Sequence, residues 1–435
     1  MPTPHLTADL SGPIFDLEKR ILDAMPTIEH WLRKQWIEHA VPFYCSVDLR
    51  NSGFKLAPVD TNLFPGGFNN LNQTFIPLCV QAMMTAVEKI CPDASNILLI
   101  PENHTRNTFY LQNVATLQAI MQQAGLNVRI GSLLSEITQP TPITLPNGDV
   151  LLLEPVERSG NRLRTSNFDP CAILLNNDLS GGVPALLQNL QQIILPPLHA
   201  GWATRRKSLH FSAFDTVAQD FSELIGIDPW LINPYFTSCG KVNFHEKQGE
   251  DCVAAAVDEI LREIQEKYTQ YGVKEKPFVI VKADSGTYGM GIMSIKDSNE
   301  VYQLNRKQRN KMATVKEGLQ VSNVLVQEGV YTFESINQAV AEPVIYMIDR
   351  YVVGGFYRVH TGRGVDENLN APGMHFEPLA FDTTCVQPDR AAQPDAVPNR
   401  FYAYGVIARL ALLAAAIELE RYTQQTAALS IATTR

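Results

Sequence analysis

The sequence predicts an α/β protein of several domains. Three observations carry this: the length, one clear β-α-β unit in the first half, and a β-rich, glycine-punctuated second half. The 435 residues amount to about three typical domains. Hydrophobic residues at 45% and charged residues at 19% supply a sizeable core and exclude a disordered chain. Lys and Arg total 36 against 45 Asp and Glu, a net charge of −9, so neither nucleic acid nor anionic lipid is expected as a partner. An anionic ligand must therefore be held by local positive charge. The apolar run 410–417 falls short of the ~18 residues of a membrane span. The first ten residues lack the basic-then-apolar order of a secretory signal. Seven cysteines without a C-x-x-C pair argue against a disulfide framework or a thiolate zinc site and predict a reducing cytoplasm.

Taken in order, 14–40 has helical apolar spacing broken at Pro26. VPFYCSVDLR reads as a strand entering a long polar loop, RNSGFKLAPVDTNLFPGGFNN, whose length suggests binding. The β-α-β unit follows: NILLIPE as a buried strand, NTFYLQNVATLQAIMQQAG as a helix closed by Gly125, and LNVRIGSL as a second strand. Ligands sit beyond the carboxyl ends of such strands, which points to ENHTRN and Arg106. A hairpin should turn at Asn147-Gly148. CAILLNN reads as another strand, leading into a helix that ends before Pro196, and a domain change is placed there. Beyond Arg205, Arg206 and Lys207, a helix is expected from Ser212 to Ile225, then a strand-like PWLINPY, then a charged helix over 249–271. A final Ala- and Leu-rich helix is expected over 400–421. It could pack on its own body or across a dimer interface, so a homo-oligomer stays open.

The most informative segment is KPFVIVKADSGTYGMGIMSIKD, a strand, a lysine, a glycine-rich loop and a strand. Gly286, Gly289 and Gly291 let backbone N–H groups of the loop, with Ser285, approach phosphates while Lys282 supplies a point charge. An ordinary glycine-rich hairpin has similar weight on this segment alone. No G-x-x-x-x-G-K-[ST] occurs, and the glycines lead into a strand, so neither a P-loop nor a dinucleotide fingerprint is present. SNVLVQEGV ends a strand at Gln327, Glu328, Gly329 and Val330, whose backbone could pair with an adenine edge. EPVIYMIDRYVVGGFYRVH and GVDENLNAPG then offer oxygen ligands suited to Mg2+: Asp349, Glu367, Asn368 and Asn370. Arg358 projects nearby and could neutralise charge on a transferring phosphoryl group.

In this order the set resembles the ATP-grasp fold, here preceded by a Rossmann-like α/β domain. The resemblance implies ATP and Mg2+. Lys207 matches the first nucleotide lysine, Lys282 the second, Glu328 to Val330 the adenine hinge, and Asp349, Glu367, Asn368 and Asn370 the metal ligands. Asn368 and Asn370 both fit the main amide position. The expected units are 1–195, an α/β substrate domain; 196–275, a first ATP-grasp subdomain with a helical insertion; 276–399, the nucleotide and metal subdomain; and 400–435, the terminal helix. VPFYCSVDLRNSGFKLAPVDTNLFPGGFNNLN together with VKADSGTYGMGIMSI is similar to the ATP-grasp-type glutamate-cysteine ligase family over nearly the whole chain. That resemblance implies ATP-driven joining of the glutamate γ-carboxylate to the cysteine amine through an acyl phosphate. A glutathione synthetase-like ligase and a non-catalytic ATP-binding protein are the alternatives. The substrates would then be small molecules: glutamate, cysteine and ATP. Arg50 and Arg106 are candidates for their carboxylates, with Asn62, Asn69 and Asn70 as neutral donors and acceptors.

Overall fold

The computed structural model describes residues 6–8, 13–90, 95–103, 106–286, 291–313, 320–379 and 400–433. The expected β-α-β unit lies within a six-stranded sheet, in the order Ile193–Leu195, Ala172–Asn176, Asn96–Pro101, Asn127–Ser132, Val150–Pro155 and Thr141–Thr144. Its first five strands are parallel and the last is antiparallel. Helix Thr108–Gln123 starts where the Asn107 side chain accepts from the Tyr110 N–H, and Gly125 leaves it at φ 88°. The turn at Asn147-Gly148 forms as expected, with Gly148 at φ 89°. The helix expected before Pro196 does not form. Asn189 takes φ 53°, which interrupts a helix, and Ile193–Leu195, with its two β-branched isoleucines, pairs with Ala172, Ile173 and Leu174 instead.

The second half builds two antiparallel layers. A four-stranded sheet runs Phe236–Gly240, Asn323–Glu328, Val279–Ala283, Ile292–Ile295. A seven-stranded sheet centres on the hairpin of Ala339–Ile348 and Tyr351–His360. Strands Tyr44–Asn51 and Leu56–Asn62 belong to this second sheet, because Asp48 pairs with Val344 and Tyr44 with Ile348. The chain before 195 therefore enters the sheet built by the chain after 276. Nor is the stretch after Asn51 a continuous polar loop: Leu56–Asn62 is a strand with Leu56, Ala57 and Thr61 buried. PWLINPY gives a short 3-10 turn, Pro229–Leu231, and the strand begins only at Phe236.

Two helices brace these layers. Helix Lys207–Ile225 begins five residues before the expected Ser212 cap, because its first turn is capped from another element. The Asp284 carboxylate accepts from the Ser208 N–H at 2.7 Å and the Ser208 hydroxyl at 2.8 Å, and the Lys207 N–H donates to the Asp284 carbonyl. An acid at a helix N-terminus is favoured by the exposed N–H groups and the helix dipole. The terminal helix runs Arg400–Thr433, longer than expected. Phe401–Thr426 is long and apolar enough to cross a bilayer by composition, but 89% of its most apolar window is buried within the protein. It packs on its own body, against helix Lys207–Ile225 and strands Tyr44–Asn51 and Leu56–Asn62. Arg205 and His210 both reach its Glu418. Cys239 and Cys252 form a disulfide, contrary to the expectation of none, where strand Phe236–Gly240 packs on the first turn of helix Glu250–Tyr271.

Candidate active site

A cleft of about 770 Å³ lies between the two antiparallel layers and is lined by both. From the four-stranded sheet come Lys282, Gly286, Ile280, Ile292, Gln327 and Glu328. From the seven-stranded sheet come Asp48, Arg50, Asp60, Glu342 and Arg358, with Lys207, Asn368 and Asn370 completing the wall. The lysines arrive from separate elements, locked together by the Asp284 cap.

Lys207 Nζ lies 2.7 Å from Asp60 Oδ1 and 4.2 Å from the centre of the Trp202 ring. Lys282 Nζ donates to the Val59 carbonyl at 2.7 Å. Burial pushes the Lys282 ammonium down to about 7, Asp60 opposes that shift, and Lys207 adds to it. For Asp60, burial alone would raise the carboxyl, but Lys207 and Lys282 outweigh it and hold the group well below the usual carboxylate range. Gly286 has φ 95° and Gly291 φ 61°, and the Ala283 N–H donates to the Gly291 carbonyl. The glycine loop thus joins two paired strands. Ser285 and Gly286 sit at its entrance and Gly291 at its exit, while Gly289 lies outside the described residues.

The opposite wall is a charge network. The register pairs Glu342 with Arg358 across the hairpin. Arg358 Nη1 lies 2.5 Å from Glu342 and 2.8 Å from Asp48, while Arg50 Nε lies 2.9 Å from the other Glu342 oxygen. Burial would raise Glu342, but Arg50 and Arg358 prevail and lower it. Asp48 is raised, by burial first and with Glu342 and Asp60 adding to it, against the pull of Arg358. Arg50 also donates to the carbonyls of Val330 and Glu367, fixing the hinge and the Asn-rich loop to one guanidinium.

Several expected site residues stand elsewhere. Asp349 is not at the cleft: it occupies the hairpin turn at φ 50°, with its carboxylate on Lys89 at 2.5 Å. Seven residues of strand, about 20 Å, separate it from Glu342, the acid of that strand which does face the cleft. The Glu367 carboxylate binds Arg363 and the Gly364 N–H, and is not among the lining groups. The hinge also differs in detail. The N–H groups of Glu328 and Gly329 are taken by the Tyr235 and Phe278 carbonyls, and the Val330 carbonyl by Arg50. The Glu328 side chain is sequestered with Lys55 at 2.6 Å, the Trp230 indole N–H at 3.1 Å and the Tyr235 N–H at 3.0 Å. Of the proposed carboxylate binders, Arg50 lines the cleft, whereas Arg106 is exposed and outside it. Asn62 closes a local turn with Phe64, and Asn69 and Asn70 bond each other. Their loop is held by Asn113, which accepts from the Gly67 and Phe68 N–H groups, and by the Tyr346 hydroxyl, which donates to Gly66. None of these three asparagines lines the cleft.

Asp48, Asp60 and Glu342 are the functional candidates that sequence reasoning missed. Asp48 and Arg50 are two apart on one strand and share a face, a signal available from alternation alone.

The cleft also holds two buried polar atoms without a hydrogen-bond partner among the described residues, Gln327 Nε2 and Arg358 Nε. Such orphans are costly, and a ligand that reached them would relieve the cost. No group of three or more His, Cys, Asp or Glu suited to a metal occurs among the described residues. Mg2+ in a nucleotide site takes one or two carboxylates, amide oxygens, water and phosphate rather than a protein cage. The oxygen donors at the cleft that would suit such an ion are Glu342, Asn368 and Asn370, with both Glu342 oxygens held by Arg50 and Arg358 in this structure.

Two facing β layers, paired lysines and an acid-amide wall around one cleft fit an ATP-dependent ligase. The family model for glutamate-cysteine ligase, GshA, matches residues 18–419. The crystal structure of a protein assigned as gamma-glutamylcysteine synthetase from Methylobacillus flagellatus KT is 68% identical, covers 97% of this chain and all of its own, and superposes with a TM-score of 0.90. The chain therefore belongs to the glutamate-cysteine ligase family. More distant similarities are to D-alanyl-alanine synthetase A from Vibrio cholerae, at 11% identity, 67% and 76% coverage and TM-score 0.32, and to a glutathione synthetase-like effector from Globodera pallida, at 9%, 86% and 84%, and 0.38. No curated protein sequence matches the chain significantly.

Proposed function

We propose that this chain joins the γ-carboxylate of glutamate to the amine of cysteine, converting ATP to ADP and phosphate, as the first step of glutathione biosynthesis. The observation that carries the reading is the convergence of Lys207, Lys282, Arg50 and Arg358 on one cleft with Glu342 and two asparagine amides, in a chain of this family.

A carboxylate and an ammonium ion do not condense in water. Attack of the γ-carboxylate on the terminal phosphorus of ATP gives an acyl phosphate and ADP. The free amine then adds to the acyl carbon, and the tetrahedral intermediate expels phosphate as the C–N bond is kept. Lys207 and Lys282 are assigned to the polyphosphate, with the Ser285–Gly286 entrance to the glycine loop over it. Gln327 is assigned to the nucleotide base, through its unpartnered amide, with Ile280 and Ile292 as apolar walls. Mg2+, held by Glu342 with Asn368 or Asn370, would supply charge neutralisation between phosphates. Arg358 keeps one unpartnered Nε for the oxygen that gains charge during transfer. A dry, shaped cleft protects the acyl phosphate from hydrolysis. Both ATP and a reduced thiol substrate favour a cytoplasmic setting, to which the cysteines, with Cys239 and Cys252 paired, no longer add.

The test is product analysis with ATP, Mg2+ and a panel of amino acids. One ADP per γ-glutamylcysteine is expected. ADP release that requires a dipeptide plus glycine, or that ignores amino acids altogether, overturns the assignment.

A further inference from the structure

Asp60 has no role in the steps above, yet it sits where the nucleotide must act. Its Oδ1 takes the Lys207 ammonium at 2.7 Å, and its charge also acts on Lys282. The side chain is 36% exposed, whereas Lys207 is 7% exposed. The carboxylate therefore faces the open cleft in front of the lysine. Neighbouring acids face the arginines instead: Asp48 pairs with Arg358, and Glu342, which is also the candidate metal acid, pairs with both Arg358 and Arg50. Asp60 is thus the cleft carboxylate whose cation partners are the two groups assigned to polyphosphate.

A polyphosphate carries several negative charges and outcompetes one carboxylate for two ammonium groups. Once it does so, Asp60 keeps a negative charge in a low-dielectric cleft and has lost its partner. The second amino acid enters that cleft as an ammonium ion. We propose that Asp60 is an exchangeable anion: it occupies the phosphate lysines in the empty site, and on nucleotide binding it is released to hold the ammonium of the attacking amino acid. Asp60 would later accept the proton that the ammonium must lose before its nitrogen lone pair can add to the acyl carbon. The inference rests on the ligase reading for the identity of the amine, but its first half concerns nucleotide alone.

The experiment is calorimetric binding to the full chain, wild type against Asp60→Asn and Asp60→Ala, with ADP and AMP as probes. Cysteine is then titrated with and without ADP and Mg2+. Removing the competing carboxylate should tighten ADP roughly tenfold, as expected for deleting one like charge near the phosphates. AMP, with one phosphate in place of two, should gain less. In the wild type, ADP should strengthen cysteine binding, and both variants should lose that coupling. Equal or weaker ADP affinity in the folded variants overturns the exchange, and cysteine coupling that survives in them overturns the amine role. Two variants of different volume separate charge from packing. The ADP arm is independent of the amino-acid substrate, so it stands even if product analysis reassigns the ligation.

Discussion

Replacing Glu342 by Gln tests where the metal-binding acid lies. Glu342 is about 2% exposed and faces two arginines. The amide keeps the shape and one acceptor oxygen but removes the charge. If Glu342 neutralises Mg2+, its loss removes a charge-assisted interaction that is worth about 3 kcal/mol in the transition state, or a hundredfold or more in kcat. The Mg2+ concentration for half-maximal rate should also rise, since the remaining amides are weak ligands. Stability should fall by roughly 1–3 kcal/mol, because Arg50 loses its carboxylate and keeps only carbonyl partners. Asp349→Asn is the control. Its Lys89 partner is 47% exposed, so that bridge contributes at most about 1 kcal/mol, and asparagine tolerates the positive φ of the turn. The assay is ADP release against Mg2+ at saturating glutamate and cysteine, with thermal unfolding alongside. An unchanged Mg2+ profile in Glu342→Gln, or a shifted one in Asp349→Asn, would refute the placement.

Three further outcomes follow from the same geometry. Lys282 is pushed down to about 7 in the empty site, and phosphate binding must raise it. Affinity for ADP should therefore be full below that pH and decline as pH rises through it, with proton uptake measurable by calorimetry in buffers of different ionisation heat. The unfolded chain also binds more protons between about 7 and 10.5, so the destabilising share of this lysine fades as pH rises through that window. Gln327→Leu should leave the melting temperature equal or higher, since it removes an unpartnered buried amide, while ADP binds more weakly. A drop in stability with unchanged ADP affinity would count against its nucleotide role. Lys55→Met leaves Glu328 buried without its cation and should cost about 3–5 kcal/mol. Adding Glu328→Gln should recover much of the loss in urea unfolding, and an additive double variant would deny the coupling.

What could be read from the chain divides along physical lines. Lys282 was legible because one strand and one glycine loop place it, and both signals are contiguous. Helix Thr108–Gln123 and the Asn147-Gly148 turn were legible for the same reason: each is specified by its own residues. Asp60 was not, because VDTN acquires meaning only when Leu56–Asn62 pairs with Tyr44–Asn51, which in turn joins Ala339–Ile348 about 300 residues away. Nor could Lys55 be read as buried, since its burial depends on Glu328, 273 positions on. Asp349 misled for a local reason. Asp is favoured both at metal sites and in tight turns at positive φ, and the sequence IDRY between two strands is a turn signal that outranked the ligand one.

This division bears on how the cleft works. Lys282, Gly286 and Gln327, assigned to the nucleotide, lie on contiguous patterns in the second half of the chain, whereas Lys207 depends on the Asp284 cap, and Asp48, Arg50 and Asp60 reach the cleft on a hairpin from the first half. Arg50 ties that hairpin to Glu342, to the hinge carbonyl of Val330 and to the Asn-rich loop at once. A shift of the hairpin by one residue would turn every one of its charged side chains to the opposite face of the sheet. The chemistry of this site therefore depends on sheet register as much as on residue identity, and a substitution at Ala57 or Thr61 that disturbs the pairing should lower turnover more than ADP affinity, since Lys207 and Lys282 lose only their Asp60 and Val59 contacts while their own helix and strand stay tied by Asp284. ADP binding measured beside turnover would separate the two: retained ADP affinity with lost ligation supports the argument, and parallel loss of both defeats it.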